Sequence, residues 1–271
     1  MGKKCSGLIC ALLLLLSFMV ISWTVKTTVA TDNTNKRDSI ANAGSSASVQ
    51  QFTKYIADIF ETARLNASGL DQAVFQKAVI GYCNLKSAGK LPQNSSVITV
   101  VDFNKSSCSK RMWIIDLQKK VLLLNTWVAH GNGSGDDVPS YFSNEQDSFA
   151  SSLGFYVTDN VYNGKHGKSL RLDGMDEGFN DQAHNRDIVV HAAPYVSEGS
   201  ISQLGRLGRS EGCPAVSPKV VNKVIDAIKG KTVLFINADD SHYTSKYLDE
   251  NLAANFAAGN LSNQSALTAS L

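Results

Sequence analysis

Apolar residues in the first third of the chain recur at helical spacing. Phe52, Ile56, Ile59, Phe60 and Ala63 fall three or four positions apart from Val49 onward, and Ser48 stands where an N-cap would. Leu70, Val74, Ala78, Tyr82 and Leu85 make a second stripe that stops before Gly89 and Pro92. Together they predict a helical hairpin over residues 48–92 whose apolar faces pack on something larger. At Val97 the period changes: Val97, Ile98, Val100 and Val101 with Thr99 form a β-branched run, as expected for a strand covered on both faces. Residues 112–117 and 121–128 flank Gln118-Lys119-Lys120 and read as a β-hairpin. Short strands are expected at 154–158, 188–191 and 232–236, with long Gly-, Asn-, Asp- and Ser-rich loops between them. Loops of that length in a compact domain commonly carry function. One more helix is signalled by Ser217 as N-cap, Pro218 in the first turn, a stripe of Val220, Val221, Val224, Ile225 and Ile228, and Gly230 as stop.

The ends read differently. Lys3 and Lys4 precede an uncharged run over residues 8–25 and the small-residue end Thr28-Val29-Ala30, the layout of an export signal cleaved after Ala30. An uncleaved membrane anchor is the competing reading, because the run is about as long as the shortest spanning helix. Residues 31–47 are polar and small, without apolar periodicity, and are expected to form a flexible linker. Residues 239–271 are rich in Ala, Asn and Ser and read as a low-signal tail. Loss of residues 1–30 removes Lys3, Lys4 and Lys26 from 26 basic residues and none of the 24 acidic ones, leaving a net charge of about −1. With Lys and Arg scattered, this gives no footprint for nucleic acid or for an anionic membrane surface beyond the signal itself.

Export changes what the cysteines mean. Cys5 and Cys10 would leave with the signal, so Cys83, Cys108 and Cys213 remain. A thiol outside the cytoplasm tends to be oxidised unless its site protects or uses it. A Cys83–Cys108 bridge would leave Cys213 as the lone thiol, although three buried apolar thiols fit the count as well.

The densest segment is Gly205-Arg206-Leu207-Gly208-Arg209-Ser210-Glu211-Gly212-Cys213-Pro214-Ala215-Val216. Glycines before a cysteine permit a tight turn whose backbone N–H groups converge on one point, as an oxyanion site requires. Upstream, Ile188-Val189-Val190 leads directly into His191, so a strand would hold that imidazole. A free thiol is only ~3% thiolate at pH 7, and an adjacent imidazole can make the thiolate the dominant form, a gain on the order of 2 kcal/mol. Spacing alone leaves open a buried Cys and a strand-end His that never meet.

The order His191, then Ser210-x-Gly212-Cys213, resembles the signature of the L,D-transpeptidase catalytic domain family. The similarity is to the branch with a long G-R-L-G-R-S-x-G-C-P-A-V segment, and extends over about residues 97–236. It includes Val128-Ala129-His130-Gly131, residues 151–156 and residues 162–174. The resemblance implies a mostly β catalytic domain over residues 97–238, preceded by the helical hairpin and carrying one helix after the cysteine. It implies a thioester at Cys213, His191 as base and then acid, and a peptidoglycan stem peptide as acyl donor that releases D-alanine, with no cofactor. Backbone N–H groups at Gly212 and Cys213 would hold the oxyanion, Ser210 would orient the turn, and His130 and His166 would line the substrate wall. Two departures stand out. Ala192 follows the histidine where Gly is common, and Pro214-Ala215-Val216 replaces an Arg- or Asn-bearing end that helps fix substrate in the wider family. Arg171 or Arg209 would have to supply that role.

Three other readings remain. The thioester could pass to water, making an L,D-carboxypeptidase. His166, Asp173, His184 and His191 offer zinc ligands for a wall peptidase, although no two histidines have a usual zinc spacing and Cys213 would then have no role. A non-catalytic wall-binding module would need neither Cys213 nor His191.

Overall fold

A computed structural model of the chain describes the backbone of residues 34–268 and the side chains of residues 47–259. The expected export signal, with Cys5 and Cys10, lies outside the described residues. Among the described residues no helix is long and apolar enough to cross a membrane.

Eight strands form one sheet: β1 (Val97–Asp102), β2 (Met112–Asp116), β3 (Val121–Thr126), β4 (Gly154–Gly164), β5 (Gly167–Gly174), β6 (Val189–Ala192), β7 (Ala215–Val216) and β8 (Val233–Asn237). Their order is β3-β2-β1-β8-β4-β5-β6-β7, with β1/β8 and β6/β7 parallel and the other pairs antiparallel. The first and last strands in this order are linked. The chain leaving β3 pairs Ala129 with Ala215 of β7, Ala129 N–H donating to Ala215 O at 2.8 Å, and Gly131 pairs with Ser210. That seam closes the sheet towards a barrel, and the Gly-Cys segment lies on it.

Period-2 alternation sends side chains into two cores, as the β-branched run at 97–101 predicts. Ile98, Val100, Phe155, Val157, Val233 and Phe235 face a helical layer. Val101, Tyr156, Leu234 and Ile236 face the opposite side, where α4 (Val221–Ile228) lays down Val221, Val224, Ile225 and Ile228. The helical layer consists of α1 (Thr34–Thr62), α2 (Gln72–Ser87) and α5 (Glu250–Thr268). Asp71 caps α2, its carboxylate accepting from Ala73 N and Val74 N.

Several expectations are corrected. The linker at 31–47 is, from Thr34, the first part of α1. Propagating a helix outward from a packed segment adds a hydrogen bond for each residue fixed, which offsets the weak helix propensity of the Gly, Ser, Asn, Asp and Thr residues there. The tail contains α5, which buries Ala253, Ala254 and Ala257 against the helical core. Asn84, buried in α2, fixes its approach by donating to Tyr247 O and Asp249 O, both at 2.8 Å. At α4 the Ser217 carbonyl, rather than its hydroxyl, accepts from Val220 N and Val221 N, so the helix starts at Val221 without a side-chain cap. The Gly-rich loop after residue 163 contains β5, and a further helix, α3 (Glu198–Leu204), follows the Ser197 cap. Cys83 and Cys108 are both free thiols. Cys83 is buried in the helical core, whereas Cys108 sits in the β1–β2 loop with its Sγ 3.2 Å from Gly205 O.

Candidate active site

The turn ahead of Cys213 is built around two glycines. Gly212 has φ +115°, and a Cβ there would lie 2.9 Å from Ala150 O and 3.4 Å from Arg186 Nη2. A Cβ on Gly131 would lie 2.8 Å from Gly212 Cα, so the seam strand and the turn pack backbone to backbone. Ser210 locks the turn: its hydroxyl donates to Cys213 O at 2.6 Å and accepts from Gly212 N at 3.2 Å. Ser210 N–H donates to His130 O, and Asn132 N–H to Ser210 O. Gly212 N–H is therefore engaged and not free for an oxyanion. Cys213 N–H has no partner among the described residues, and Pro214 has no N–H to offer.

This turn delivers Cys213 to the start of β6. Its Sγ lies 3.5 Å from Val189 N, which donates to it, and 3.6 Å from Asp187 O. His191 is two residues further along the same strand, hence on the same face as Val189, and pairs with Ala215, two residues after the cysteine. His191 Nδ1 lies 2.9 Å from Ala192 O. A carbonyl can only accept, so Nδ1 carries the proton and Nε2 presents its lone pair as a base must. Burial, chiefly, pushes the His191 pKa down, the Ala192 carbonyl raises it, and His166 lowers it further. Burial pushes the Cys213 thiol up to about 11, outweighing the Val189 N–H and Arg186, which pull it down; Asp187 and Glu211 push it up as well. Both groups rest neutral at pH 7.

His166 is in the site. It occupies the two-residue tip of the β4–β5 hairpin with Lys165, and its ring centroid is 4.4 Å from that of His191. His130 is not in the substrate wall. It is 1% exposed, with Nδ1 accepting from Arg111 Nη2 at 2.7 Å and Nε2 donating to Gly135 O at 3.3 Å. Arg111 is itself fully buried and donates to Val128 O and Lys105 O. The pair props the seam strand from inside. Burial and the neighbouring Arg111 charge lower the His130 pKa to about 4, so it is a neutral structural group.

Neither candidate arginine is an unattached cation. Arg209 donates to Gly135 O at 2.7 Å and Asp136 Oδ1 at 3.0 Å, tying the turn to the 131–152 loop. Arg171 pairs with Asp187 at 3.0 Å and lies over the Tyr162 ring, bordering the thiol through Asp187. Sequence reasoning missed Arg186. It donates to Ser143 O, Ser152 Oγ, Ser148 Oγ and Ala150 O, stitching the loop to the back of Gly212. Its polar surroundings carry no pattern that would single it out.

The zinc-ligand set separates. His184 Nδ1 lies 3.1 Å from Asp173 Oδ1, and Asp159 completes a group whose ligand atoms are within 4.8 Å of one another, whereas His166 goes with His191. Asp159 also meets Lys231 Nζ at 3.3 Å, which supplies part of the charge a cation would bring.

Residues 66–237 match the family described as the L,D-transpeptidase catalytic domain. None of the curated proteins matches the chain. Among solved structures it is similar to an L,D-transpeptidase from Mycobacterium smegmatis, with 14% identity and a TM-score of 0.33 over 53% of this chain and 59% of that one. It is similar to the helical cell shape determining protein Pgp2 from Campylobacter jejuni, with 13% identity and a TM-score of 0.39 over 68% and 64%. An L,D-transpeptidase from Stackebrandtia nassauensis gives 12% identity and 0.33 over 61% and 67%. The chain thus spans about three fifths of the length of the first two.

Proposed function

The chain belongs to the L,D-transpeptidase catalytic domain family, and from that premise we propose that it is an exported cysteine acyltransferase acting on peptidoglycan stem peptides. The observation that carries this reading is the mount of Cys213, a thiol held by a Gly-only turn against the first residues of the strand that bears His191. Export rests on the sequence pattern of residues 1–30.

His191 Nε2 takes the thiol proton as sulfur attacks the carbonyl ahead of the terminal D-alanine. With both groups neutral at rest, proton removal accompanies attack and no standing ion pair precedes it. The Cys213 N–H is the donor in reach of the tetrahedral oxyanion. Collapse breaks the C–N bond, and the departing D-alanine amine carries off the proton from His191. An acceptor amine then attacks the thioester, loses its proton to His191 and displaces the cysteine sulfur, which recovers that proton. The peptide bond's energy is conserved in the thioester, so a crosslink forms without a nucleotide. Arg171, paired with Asp187 beside the thiol, is the cation best placed to meet the donor's carboxylate.

Incubating tetrapeptide muropeptides with the protein is expected to give crosslinked dimers and free D-alanine, both lost in Cys213→Ala. Accumulation of tripeptide alone, even with excess acceptor amine, would identify a carboxypeptidase instead.

A further inference from the structure

Arg186 is a half-buried guanidinium without a counter-ion. Its four side-chain hydrogen bonds go to neutral acceptors: Nη1 donates to Ser143 O at 2.7 Å and Ser152 Oγ at 2.6 Å, Nη2 to Ala150 O at 2.8 Å and Ser148 Oγ at 3.1 Å. Both hydroxyls donate elsewhere, Ser152 to Ser143 O and Ser148 to Glu145 O, so each turns only a lone pair towards the arginine. The other arginines around the catalytic turn are paired with carboxylates, Arg171 with Asp187, and Arg206 and Arg209 with Asp136. Among the described residues no Asp or Glu pairs with Arg186. A charge taken out of water is ordinarily paired, because its desolvation is costly.

The acids whose charge acts on Arg186 are Tyr156 and Cys213. Tyr156 is fully buried, donates to Ser152 O and is pushed well above the ordinary phenol range by desolvation, so it stays neutral. That leaves the sulfur. Arg186 Nη2 is 3.4 Å from where a Cβ on Gly212 would sit, one peptide away from Cys213, and the residue after Arg186 places its carbonyl oxygen 3.6 Å from Sγ. Of the other groups around the thiol, Asp187 and Glu211 oppose its ionisation, and Asp187 is already paired with Arg171. His191 is pushed down and Tyr195 up to about 12, so both are neutral at pH 7.

We propose that Arg186 is a positioning residue that serves, from behind the Gly212 turn, as counter-ion for the negative charge Cys213 acquires when its proton passes to His191 and again when sulfur leaves the thioester. The four hydrogen bonds fix where the positive charge stands and leave it unneutralised. Arg186 acts through the turn and through its field, with no hydrogen bond to the sulfur. Its place in catalysis rests on the acyl-transfer reading above, whereas its effect on the thiol does not.

Alkylation of Cys213 by iodoacetamide in the full chain, followed on its own peptide by mass between about pH 7 and pH 10, reads the thiolate directly. Arg186→Gln is expected to label about tenfold more slowly than the wild type, because losing a nearby opposite charge raises a thiol pKa by about one unit. Arg186→Lys keeps the charge and loses the fork, and should label within about twofold of the wild type. Both variants should melt at lower temperature, since each loses hydrogen bonds to the 131–152 loop. Equal labelling rates in the Gln and Lys variants overturn the proposal, whether both match the wild type or both fall. Ser148→Ala and Ser152→Ala decide the matter if Arg186→Gln does not fold, because each removes one hydrogen bond and leaves the charge. They should melt earlier and label at the wild-type rate; labelling that slows along with melting overturns the proposal and leaves Arg186 a strut. If labelling follows the charge while tetrapeptide muropeptides yield neither dimer nor free D-alanine, the acyl-transfer reading fails and the counter-ion assignment stands.

Discussion

The imidazole rings of His166 and His191 lie 4.4 Å apart between centroids, tilted by 32°. A hairpin tip thereby covers one face of the candidate base. Burial, chiefly, pushes the His191 pKa down, the Ala192 carbonyl raises it and the neighbouring His166 lowers it further, and both lowering causes weaken if that ring is cut away. His166→Ala therefore moves the His191 pKa back up towards its ordinary value. In a pH profile of kcat/KM the acid limb should shift to higher pH, so activity falls more at pH 6 than at pH 8. An acid limb that stays put or moves lower would show that the stacked pair has no influence on the base.

Cys213 and His191 should behave as one unit. Each single substitution to Ala is expected to remove nearly all turnover, and the double variant to lose little more, because either loss alone disables the same proton transfer. Independent losses that multiply would separate the two residues.

The thiol pushed up to about 11 gives a further test in the free enzyme. Iodoacetamide labelling of Cys213 in a Cys108→Ser background should be slow at pH 7 and rise about tenfold per pH unit up to about pH 10. A rate already level above pH 7 would reveal a standing thiolate.

Much of this was legible in the chain because the responsible signals are local. The β-branched run at 97–101 can satisfy only a strand buried on both faces, and Gly212 is a glycine because its φ and the nearby Ala150 O leave no room for a Cβ. What escaped depends on distant partners. Leu170 and Leu172 alternate as β5 requires, but glycines and charges around them hide the strand. The helix α5 buries alanines, whose small size allows close approach and whose weak hydropathy leaves no stripe. The role of His130 is set by Arg111, nineteen positions away, and that of His166 by a two-residue turn that folds β4 back on β5.

His130 makes stability pH-dependent with a definite sign. Its pKa is about 4 in the folded chain and about 6.5 when unfolded, so between these values the unfolded state holds more protons. Stability is complete above pH 6.5 and falls as pH drops towards 4, by up to about 3 kcal/mol from this group. Urea unfolding of the wild type should show a steeper loss over that window than His130→Gln, whose amide can still bridge Arg111 and Gly135. Parallel curves would remove His130 as the cause.

Asn84 tests whether the C-terminal helix is structural. Its amide serves two carbonyls ahead of α5, and Asn84→Ala leaves Tyr247 O and Asp249 O without that donor. A loss of about 1–3 kcal/mol is expected. Turnover at low temperature should be retained, since the helical layer faces away from Cys213 across the sheet. Unchanged stability would mean that α5 is held without this anchor.

Gly212 separates geometry from stability most cleanly. A methyl group at this position meets Ala150 O at 2.9 Å and demands φ +115° of a residue that rarely adopts it, a strain of about 1–3 kcal/mol. The turn can relieve this only by moving away from the 131–152 loop, because Gly131 blocks the other direction and Arg186 stands behind. That movement carries Cys213 with it, since Ser210 Oγ ties Gly212 N to Cys213 O. The sulfur then leaves the Val189 N–H. Gly212→Ala should therefore unfold only slightly below the wild type in temperature yet lose at least a hundredfold in kcat/KM. The same change at Gly205, also left-handed at φ +68° but with no atom within 4 Å of its Cβ, should cost comparable stability and little activity. Equal activity losses at the two positions would mean that the fit of Gly212 against Ala150 does not set the position of the nucleophile.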